Sequence, residues 1–399
     1  MREWVSKMSD ARADLGDSHN FGRRVSLHGQ RVQKPRTLVW EWLMLTADSP
    51  LRRLLDAAAE RDGLGRAFGF LPDLEFFSSH VRAGGEVQRV ALAPLPLLSP
   101  EGRRDLARIV GRSLALFGWL GVADLHWENL VLGVADDGRV VFSPLDVEII
   151  LAELSLPTET KLLPDADPEY AEISRHACGV RRVLPFLGKP IDPGDLVAMV
   201  SAYHRTLVFL DRHAKAIADV LGALPDLKGT PIRVCLRGTD EYVRARTEPP
   251  WPPLLAAEAE QLVRGDIPYF FRLYGTKGIH YFVDEALEQW KTLPLEGDVP
   301  QLDPILSIAR AFRSPSRQSL REEGLFTVLG AFDHASFTGT HASDQWSVTF
   351  RKRTVVVKMP DGEELESRRD LRAFVGSVYL PCHCGEVRTV FVPPVTTCA

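Results

Sequence analysis

The sequence predicts an α+β fold with strand-rich parts at both ends and helical sequence between them. Three observations lead to this prediction: a short strand pair near the N terminus, long helices of apolar periodicity in the middle, and alternating apolar and polar residues after about residue 335. The 399 residues, 45% of them hydrophobic and 25% charged, suffice for two or three domains with their own cores. We expect a division into residues 1–95, 96–335 and a small β-rich extension, 336–399.

Charge and composition exclude several classes of protein. A net charge of −5 gives no electrostatic reason to expect a nucleic-acid partner or an anionic membrane surface. The chain has no apolar run near the roughly 20 residues of a membrane span, and its N terminus does not resemble a signal peptide. The five cysteines, irregularly spaced, suit a reducing cytoplasm, where we expect the protein. Cys382-His383-Cys384 lacks a visible second ligand pair, so we expect no zinc site there.

The N-terminal part begins with a predicted hairpin. Residues 24–27 and 31–34 are the strand candidates, and His28-Gly29 form the turn. A helix that carries Trp40, Trp42, Leu43 and Leu51 is expected next. The hairpin places Lys34 at the end of a strand.

A long helix is expected to begin after Ser99. Ser99 is a suitable N-cap, Pro100 suits the first helical position, and Glu101 complements the positive end of the helix dipole. Apolar residues keep helical spacing from residue 106 to 120, and Gly121 is a suitable stop.

The run "DLHWEN", from Asp124 to Asn129, follows this helix directly. Two strand-like segments come next, "NLVLGV" and "RVVFSPLDVEI", joined by the turn Asp136-Asp137-Gly138. The polar run is therefore expected to be a loop between a helix and a hairpin, and the hairpin leads to Asp146 and Glu148.

Helical sequence continues over about residues 195–224, and another helix over 254–264 follows the Pro-rich break "TEPPWPP". Near the C terminus, "WSVTFRKRTVVVKMPDGEELES" alternates like a hairpin around residues 360–362, and "RTVFVPPV" predicts a further short strand.

The spacing of the polar residues suits phosphoryl transfer. In that chemistry an Asp at the start of a loop accepts the hydroxyl proton, an Asn further along binds metal, and an Asp after a hairpin binds it again. Asp124, Asn129 and Asp146 match this order, and Lys34 could hold nucleotide phosphates. Oxygen ligands from two loops suit Mg²⁺ bound to ATP. The alternative is a polar loop with a capping Asp, because D-x-x-x-x-N is short and degenerate.

This pattern predicts a bilobal, kinase-like arrangement in which ATP lies between the strand that carries Lys34 and the larger part that carries residues 124–148. A separation of more than about 15 Å between Lys34 and Asp146, with no hinge between them, would prevent both from touching one nucleotide.

Six segments occur in the order and approximate spacing of a known family: "GDSHNFGRRV", "VQKPR", "ADLHWENLVLG", "PLDVEI", "IRVCLRGTDEY" and "RGDIPYF". Over roughly residues 15–330 the chain resembles the dehydratase domain of the class II lanthipeptide synthetases, the LanM family. The resemblance implies a lipid-kinase-like fold that uses ATP and Mg²⁺ to phosphorylate Ser and Thr of a precursor peptide. Elimination of the phosphate then leaves dehydroamino acids.

The resemblance also implies roles for individual residues. The phosphorylation set comprises Lys34 at the ATP phosphates, Asp124 at the substrate hydroxyl, His126 without a derived role, and Asn129, Asp146 and Glu148 at the metal. The elimination set comprises Asp17, His19, Arg233 and Thr239. Elimination needs a base for the α-proton and electrophiles for the departing phosphate. His19, oriented by Asp17, suits the first need; Arg233 and Thr239 suit the second.

The sequence departs from the family in three respects. About 15 residues precede "GDSHN" where the family has a long N-terminal region, no cyclase domain with zinc-binding Cys and His follows, and "LDVEI" stands where "DLET" is usual. We therefore expect a stand-alone, shortened dehydratase, or a relative that acts on another hydroxyl substrate, with a separate cyclase or modification enzyme as a possible partner. Two alternatives stay open. One is a kinase of a small-molecule or protein hydroxyl without elimination, and the other is a non-catalytic module that binds a peptide.

Overall fold

The structure, a computed structural model, describes residues 13–152, 154, 156–164, 177–248, 253–276, 278–294, 317–332 and 336–369. Within these ranges helices combine with four antiparallel sheets, so the predicted α+β class is confirmed. The expected strand over residues 388–395 and the Cys382–Cys384 segment lie outside the described residues.

The first sheet contains the predicted N-terminal hairpin. Its strands are β1 (Ala13–His19), β2 (Arg23–His28), β3 (Arg31–Lys34), β4 (Phe76–Ser78) and β5 (Gly85–Gln88), in the order β1-β2-β3-β5-β4. Strands β2 and β3 pair with Leu27 opposite Val32, as the hairpin prediction requires. Gly29 takes a φ of +59° in the turn, a conformation that glycine adopts without steric cost.

Two helices follow where the sequence predicted one, α1 (Val39–Leu45) and α2 (Pro50–Arg61). The break has a local cause. The Ser49 hydroxyl accepts a hydrogen bond from the Arg52 N–H at 3.1 Å, and Pro50 occupies the first helical position, so a new helix begins there. Helix α1 is apolar and buried on most sides, but it also carries the buried Glu41.

The predicted helix after Ser99 is confirmed as α3 (Pro100–Trp119). Ser99 caps it by accepting from the Gly102 N–H at 3.1 Å, and Gly121 ends the turn that follows with a φ of +63°. Helix α3 packs against α5 (Pro193–Arg212) at Gly111, where an added Cβ would lie 2.1 Å from the Met199 carbonyl oxygen. The close approach of the two helices therefore depends on glycine.

The second predicted hairpin is confirmed as β6 (Leu130–Val134) and β7 (Val140–Pro144). Gly138 has a φ of +82° in the turn. The Leu145 N–H donates to the Asn129 carbonyl at 2.7 Å, which closes the base of the hairpin. Asp146 is therefore held beside the end of the polar loop.

The remaining middle region contains α4 (Leu184–Leu187), α5, α6 (Ala214–Gly222), α7 (Thr239–Arg244), α8 (Ala256–Val263) and α9 (Arg317–Phe332). The helical prediction over 195–224 corresponds to α5 and α6, and that over 254–264 to α8. A further sheet of order β11-β10-β9-β8 was not predicted. Its strands are β8 (Pro231–Val234), β9 (Phe270–Leu273), β10 (His280–Phe282) and β11 (Trp290–Thr292).

A C-terminal sheet is formed by β12 (Gly339–Ser343), β13 (Trp346–Phe350), β14 (Thr354–Lys358) and β15 (Glu364–Arg368) in sequence order. The predicted hairpin around residues 360–362 is β14 and β15. One apolar core includes side chains from all three expected divisions of the chain, among them Trp40, Phe117, Tyr203 and Trp346. Among the described helices, we find none with the length and apolar character needed to cross a membrane.

Candidate active site

Lys34 and Glu41 form a buried ion pair between the first sheet and α1. The Nζ of Lys34 lies 3.0 Å from Oε1 of Glu41, and the two side chains are 9% and 1% exposed. The same Nζ donates to the Leu145 carbonyl and lies 4.0 Å from Oδ1 of Asp146. Burial lowers the pKa of Lys34, whereas Glu41 opposes that effect. Lys34 and Asp146 are thus close enough to touch one nucleotide.

Arg36 connects this pair to the acids that follow β7. Its Nη2 lies 2.6 Å from Oε1 of Glu41, its Nε lies 2.9 Å from Oε2 of Glu148, and the guanidinium also contacts Asp146. Burial works to lower the pKa of Arg36, but Glu41 and Glu148 outweigh it and raise the pKa. One guanidinium therefore holds three carboxylates in fixed positions.

Glu148 lies between two arginines. Its Oε2 accepts from Arg36, its Oε1 accepts from Nη1 of Arg233, and its carbonyl accepts from the Arg233 N–H at 2.9 Å. Burial would raise the pKa of Glu148, but Arg233 and Arg36 outweigh it and lower the pKa to about 2. The carboxylate therefore stays ionised, with both oxygens engaged by guanidinium groups.

Asp124 begins the polar loop in a strained conformation. Its φ is +64°, and its Oδ1 lies 3.0 Å from Nζ of Lys161, which also has a φ of +64°. A hydrogen bond of 2.9 Å from the Leu125 N–H to the Thr160 carbonyl joins the two loops beside this pair. Left-handed backbone at non-glycine residues is costly and is concentrated at functional sites.

Asn129 and His126 shape the rest of the loop. The Asn129 Nδ2 donates to the Asp124 carbonyl at 2.9 Å, which folds the loop back on itself. The carbonyl of Asn129 accepts from Leu145, the residue whose own carbonyl accepts from Lys34. His126 pairs through its backbone with Cys178 and accepts from the Asn129 N–H at 3.0 Å. Lys34, Asn129 and Asp146 are therefore neighbours.

Two of the three expected metal ligands fit Mg²⁺. This ion commonly takes one or two carboxylates and completes its shell with phosphate oxygens and water. Asp146 offers a carboxylate 4.0 Å from Lys34, and its side chain is 29% exposed. Asn129, whose main chain bonds to Leu145 at the base of the same hairpin, offers an amide oxygen. Glu148 does not fit the expected metal role, because Arg36 and Arg233 occupy both of its oxygens. Within the described ranges, no group of three or more His, Cys, Asp or Glu could hold a metal by itself.

Asp266, fully buried, holds the turn that contains His19. Its carboxylate accepts from the Ser18 hydroxyl at 2.6 Å, the Phe21 N–H at 2.8 Å and the Gly22 N–H at 2.9 Å. Phe21 takes a φ of +70°, and these bonds stabilise that conformation. The hydrogen bonds to Asp266 therefore hold the "GDSHNFG" turn against the "RGDIPYF" segment.

Nδ1 of His19 is 2.8 Å from the Ile267 carbonyl oxygen. A carbonyl only accepts, so Nδ1 carries the proton and Nε2 has the lone pair in the neutral ring. Burial and, less strongly, Arg233 lower the pKa of His19. Asp17 is exposed, and in the described structure Ile267 rather than Asp17 orients the ring, contrary to the expectation.

Arg233 and Thr239, expected to act together, differ in their surroundings. Arg233 extends from β8 toward Glu148, and its Cζ lies 5.5 Å from the centre of the Tyr269 ring. Thr239 is exposed at the first residue of α7, and no contact found among the described residues joins it to Arg233. The structure thus brings His19, Arg233 and Glu148 together and leaves Thr239 at the surface.

Several residues of the site were not singled out from the sequence. Glu41 had a signal, a single acid in the apolar run "VWEWLML", which marks a buried charge in need of a partner. Arg36 and Tyr269 lie in segments that carried the resemblance, but their roles depend on distant partners. Lys161 had no local signal.

The residues expected for phosphoryl transfer and for elimination thus meet at Glu148. Comparison of the chain with models of known protein families gives no match, and no curated protein matches it.

Proposed function

We propose that the protein uses ATP and Mg²⁺ to phosphorylate Ser and Thr hydroxyls of a ribosomally made precursor peptide and then eliminates phosphate to give dehydroamino acids. One observation carries this proposal: the Glu148 carboxylate contacts both Arg36 and Arg233. Groups suited to transfer a phosphoryl group and to hold a departing phosphate are therefore adjacent. The proposed fold is bilobal and kinase-like, and the proposed location is the cytoplasm, where ATP is available.

The Lys34–Glu41 pair supports the first step. A strand lysine paired with a helix glutamate and an Asp after a hairpin are parts that kinases use to position nucleotide phosphates. Asp124 is proposed to accept the proton of the substrate hydroxyl. That oxygen bonds to the γ-phosphorus, the bond to the bridging oxygen breaks, and ADP leaves.

Asn129 and Asp146 would hold the Mg²⁺. When bound, the ion neutralises charge on the phosphate oxygens. Lys34 is proposed to contact the same phosphates from the side of the first sheet. This arrangement does not require Glu148 as a ligand.

The surroundings of His19 and Arg233 support the second step. Nε2 of His19 has a lone pair, and the lowered pKa favours the neutral ring that a base requires. Removal of the α-proton forms the Cα=Cβ bond and breaks the Cβ–O bond. The phosphate leaves with the electron pair, and Arg233 is proposed to stabilise its charge.

The test uses the purified protein with ATP, Mg²⁺ and the peptides encoded by short reading frames that flank the gene. Each phosphorylation adds about 80 Da and each completed dehydration removes about 18 Da, which mass spectrometry distinguishes. We expect the wild-type enzyme to give the lighter product. Lys34→Ala and Asp124→Asn should give neither product, because catalysis here is mostly positioning and charge stabilisation.

Arg233→Lys and His19→Ala should let phosphopeptide accumulate, since the transition state that loses stabilisation belongs to elimination. Arg244→Ala, an exposed arginine of α7, is the control and should behave as wild type. If phosphopeptide were the only product of the wild-type enzyme, the protein would be a kinase without elimination. If the protein bound peptide but never turned over ATP, it would be a non-catalytic module.

A further inference from the structure

The segment Ile267–Tyr269 lies against both proposed elimination residues. The carbonyl of Ile267 accepts from Nδ1 of His19, and the Tyr269 ring meets the His19 ring edge-on, with centroids 5.9 Å apart and an interplanar angle of 63°. The Tyr269 N–H donates to Oε1 of the buried Gln261 at 2.8 Å. This hydrogen bond holds the main chain of Tyr269 in place, and the main chain in turn sets the position of the ring.

The same ring also contacts Arg233. The Cζ of Arg233 lies 5.5 Å from the ring centroid, within the range of a cation–π interaction. Tyr269 is 5% exposed, so little water competes with this contact. Arg233 is held by Glu148 on one side and by the Tyr269 ring on another.

We propose that Tyr269 is a positioning residue for the elimination step, whose ring fixes the distance between the base His19 and the phosphate-binding Arg233. The inference rests on the proposed function, because it assigns the ring to its second step. Burial raises the pKa of the Tyr269 phenol, and Glu148 adds to the effect. The phenol therefore stays protonated near neutral pH and is no base for the α-proton, so the ring carries the role.

Replacement of the ring should separate the two steps. Tyr269→Leu keeps apolar volume but loses both ring contacts, and we expect elimination to slow on the order of 100-fold, as for other small misplacements of reacting groups. Phosphoryl transfer should change by less than about threefold, because Tyr269 contacts neither Lys34 nor Asp124 among the described contacts. Phosphopeptide should then accumulate. Tyr269→Phe keeps the ring and should restore elimination to about the wild-type rate.

A second measurement needs no peptide. NMR can follow the pH titration of the His19 ring, and the signal is assigned by its loss in His19→Gln. The pKa obtained depends on the burial of the ring and on the nearby charges of Arg233, Glu148 and Asp17. Wild type should titrate below the ordinary His pKa because the ring is buried. Tyr269→Leu should move the pKa up toward the ordinary value by admitting water, whereas Tyr269→Phe should not.

Tyr281→Leu is the matched control. Tyr281 is 8% exposed, and its ring meets the Phe270 ring edge-on with centroids 6.1 Å apart, in an apolar cluster separate from that of Tyr269. Tyr281→Leu therefore removes a similar buried ring that has no described contact with His19. It should leave both the ratio of products and the His19 titration unchanged.

A Tyr269→Leu enzyme that dehydrates peptide as wild type does, or whose His19 titrates as in wild type, would overturn the inference. Loss of elimination in Tyr269→Phe would also overturn it, because the hydroxyl and not the ring would then be responsible. This outcome can be measured even if the Leu variant does not fold. A wild-type enzyme that only phosphorylates would instead refute the proposed function, and the NMR titration would still decide whether the ring positions His19.

Discussion

Arg233 and Glu148 are joined twice, by an ion pair between Nη1 and Oε1 and by a 2.9 Å hydrogen bond from the Arg233 N–H to the Glu148 carbonyl. The second bond is between main-chain atoms, so it links the segment after β7 to β8 independently of the two side chains. Asp146 lies two residues before Glu148. The main chain therefore sets the spacing between an acid suited to phosphoryl transfer and a cation suited to bind released phosphate.

The first prediction separates Asp146 from Glu148. Asp146→Asn should raise the Mg²⁺ concentration needed for half-maximal nucleotide binding by about tenfold or more, because it weakens a metal ligand. Glu148→Gln should change it by less than about twofold, since Arg36 and Arg233 already occupy the carboxylate. Fluorescent-nucleotide binding and Mn²⁺ paramagnetic resonance report this without turnover. Equal effects of the two substitutions would restore Glu148 as a metal ligand.

The second prediction concerns the Lys34–Glu41 pair. Glu41→Gln should slow phosphoryl transfer by about 100-fold, because Lys34 and Arg36 lose the carboxylate that positions them. It should also lower the free energy of unfolding by about 3 kcal/mol, the usual cost of leaving a buried charge without its partner.

The matched control for Glu41→Gln is Glu86→Gln, on strand β5 of the sheet that also contains Lys34. Glu86 pairs with Arg31 at 3.0 Å, but that pair is exposed to solvent, so its loss should cost less than about 1 kcal/mol. Urea unfolding and initial rates of ADP release provide both measurements. Equal loss of stability in the two variants would contradict the buried-pair argument.

The third prediction concerns the turn around His19. Asp266→Asn replaces one acceptor oxygen by an NH₂ group and removes the charge that three donors share. We expect the free energy of unfolding to fall by about 2–3 kcal/mol, and elimination to slow more than phosphoryl transfer. Asp284→Asn is the control, because Asp284 also accepts from backbone N–H groups but is only half-buried, whereas Asp266 is fully buried. Equal slowing of both steps would show that the turn does not serve elimination specifically.

The sequence predicted elements whose signals are local. The hairpin that ends at Lys34, the helix that Ser99 caps and Gly121 ends, and the hairpin before Asp146 each have turn or capping residues within a few positions. The sheet of β8 to β11 was missed, because its strands have three or four residues and little alternation; Phe270–Leu273 is buried throughout.

The site could be predicted only in part because its contacts are long-range. Arg36 reaches Asp146 over 110 positions, and Arg233 reaches Glu148 over 85. Two acids at i and i+2 fit a metal site when read alone, and nothing nearby in the sequence shows that arginines neutralise one of them. Contacts of this kind depend on how distant segments pack together.

The last prediction concerns the attachment of the C-terminal sheet to α5. His204 of α5 packs against Trp346 of β13, with ring centroids 5.0 Å apart. Burial and, less strongly, Arg321 lower the pKa of His204 from 6.5 to about 4. Between these two values the unfolded chain binds a proton at this position and the folded chain does not. The free energy of unfolding should therefore fall as the pH drops below 6.5, and the contribution should be constant above it.

At pH 5 this residue should lower the free energy of unfolding by about 2 kcal/mol relative to pH 7.5, as an upper value because the ring is only partly buried. His204→Phe keeps an aromatic ring on Trp346 but cannot be protonated, so its loss of stability between the two pH values should be smaller by that amount. Urea unfolding at both pH values measures the difference, with the exposed His28→Gln as the control. If His204→Phe lost as much stability on acidification as the wild type, protonation of His204 would not be the cause.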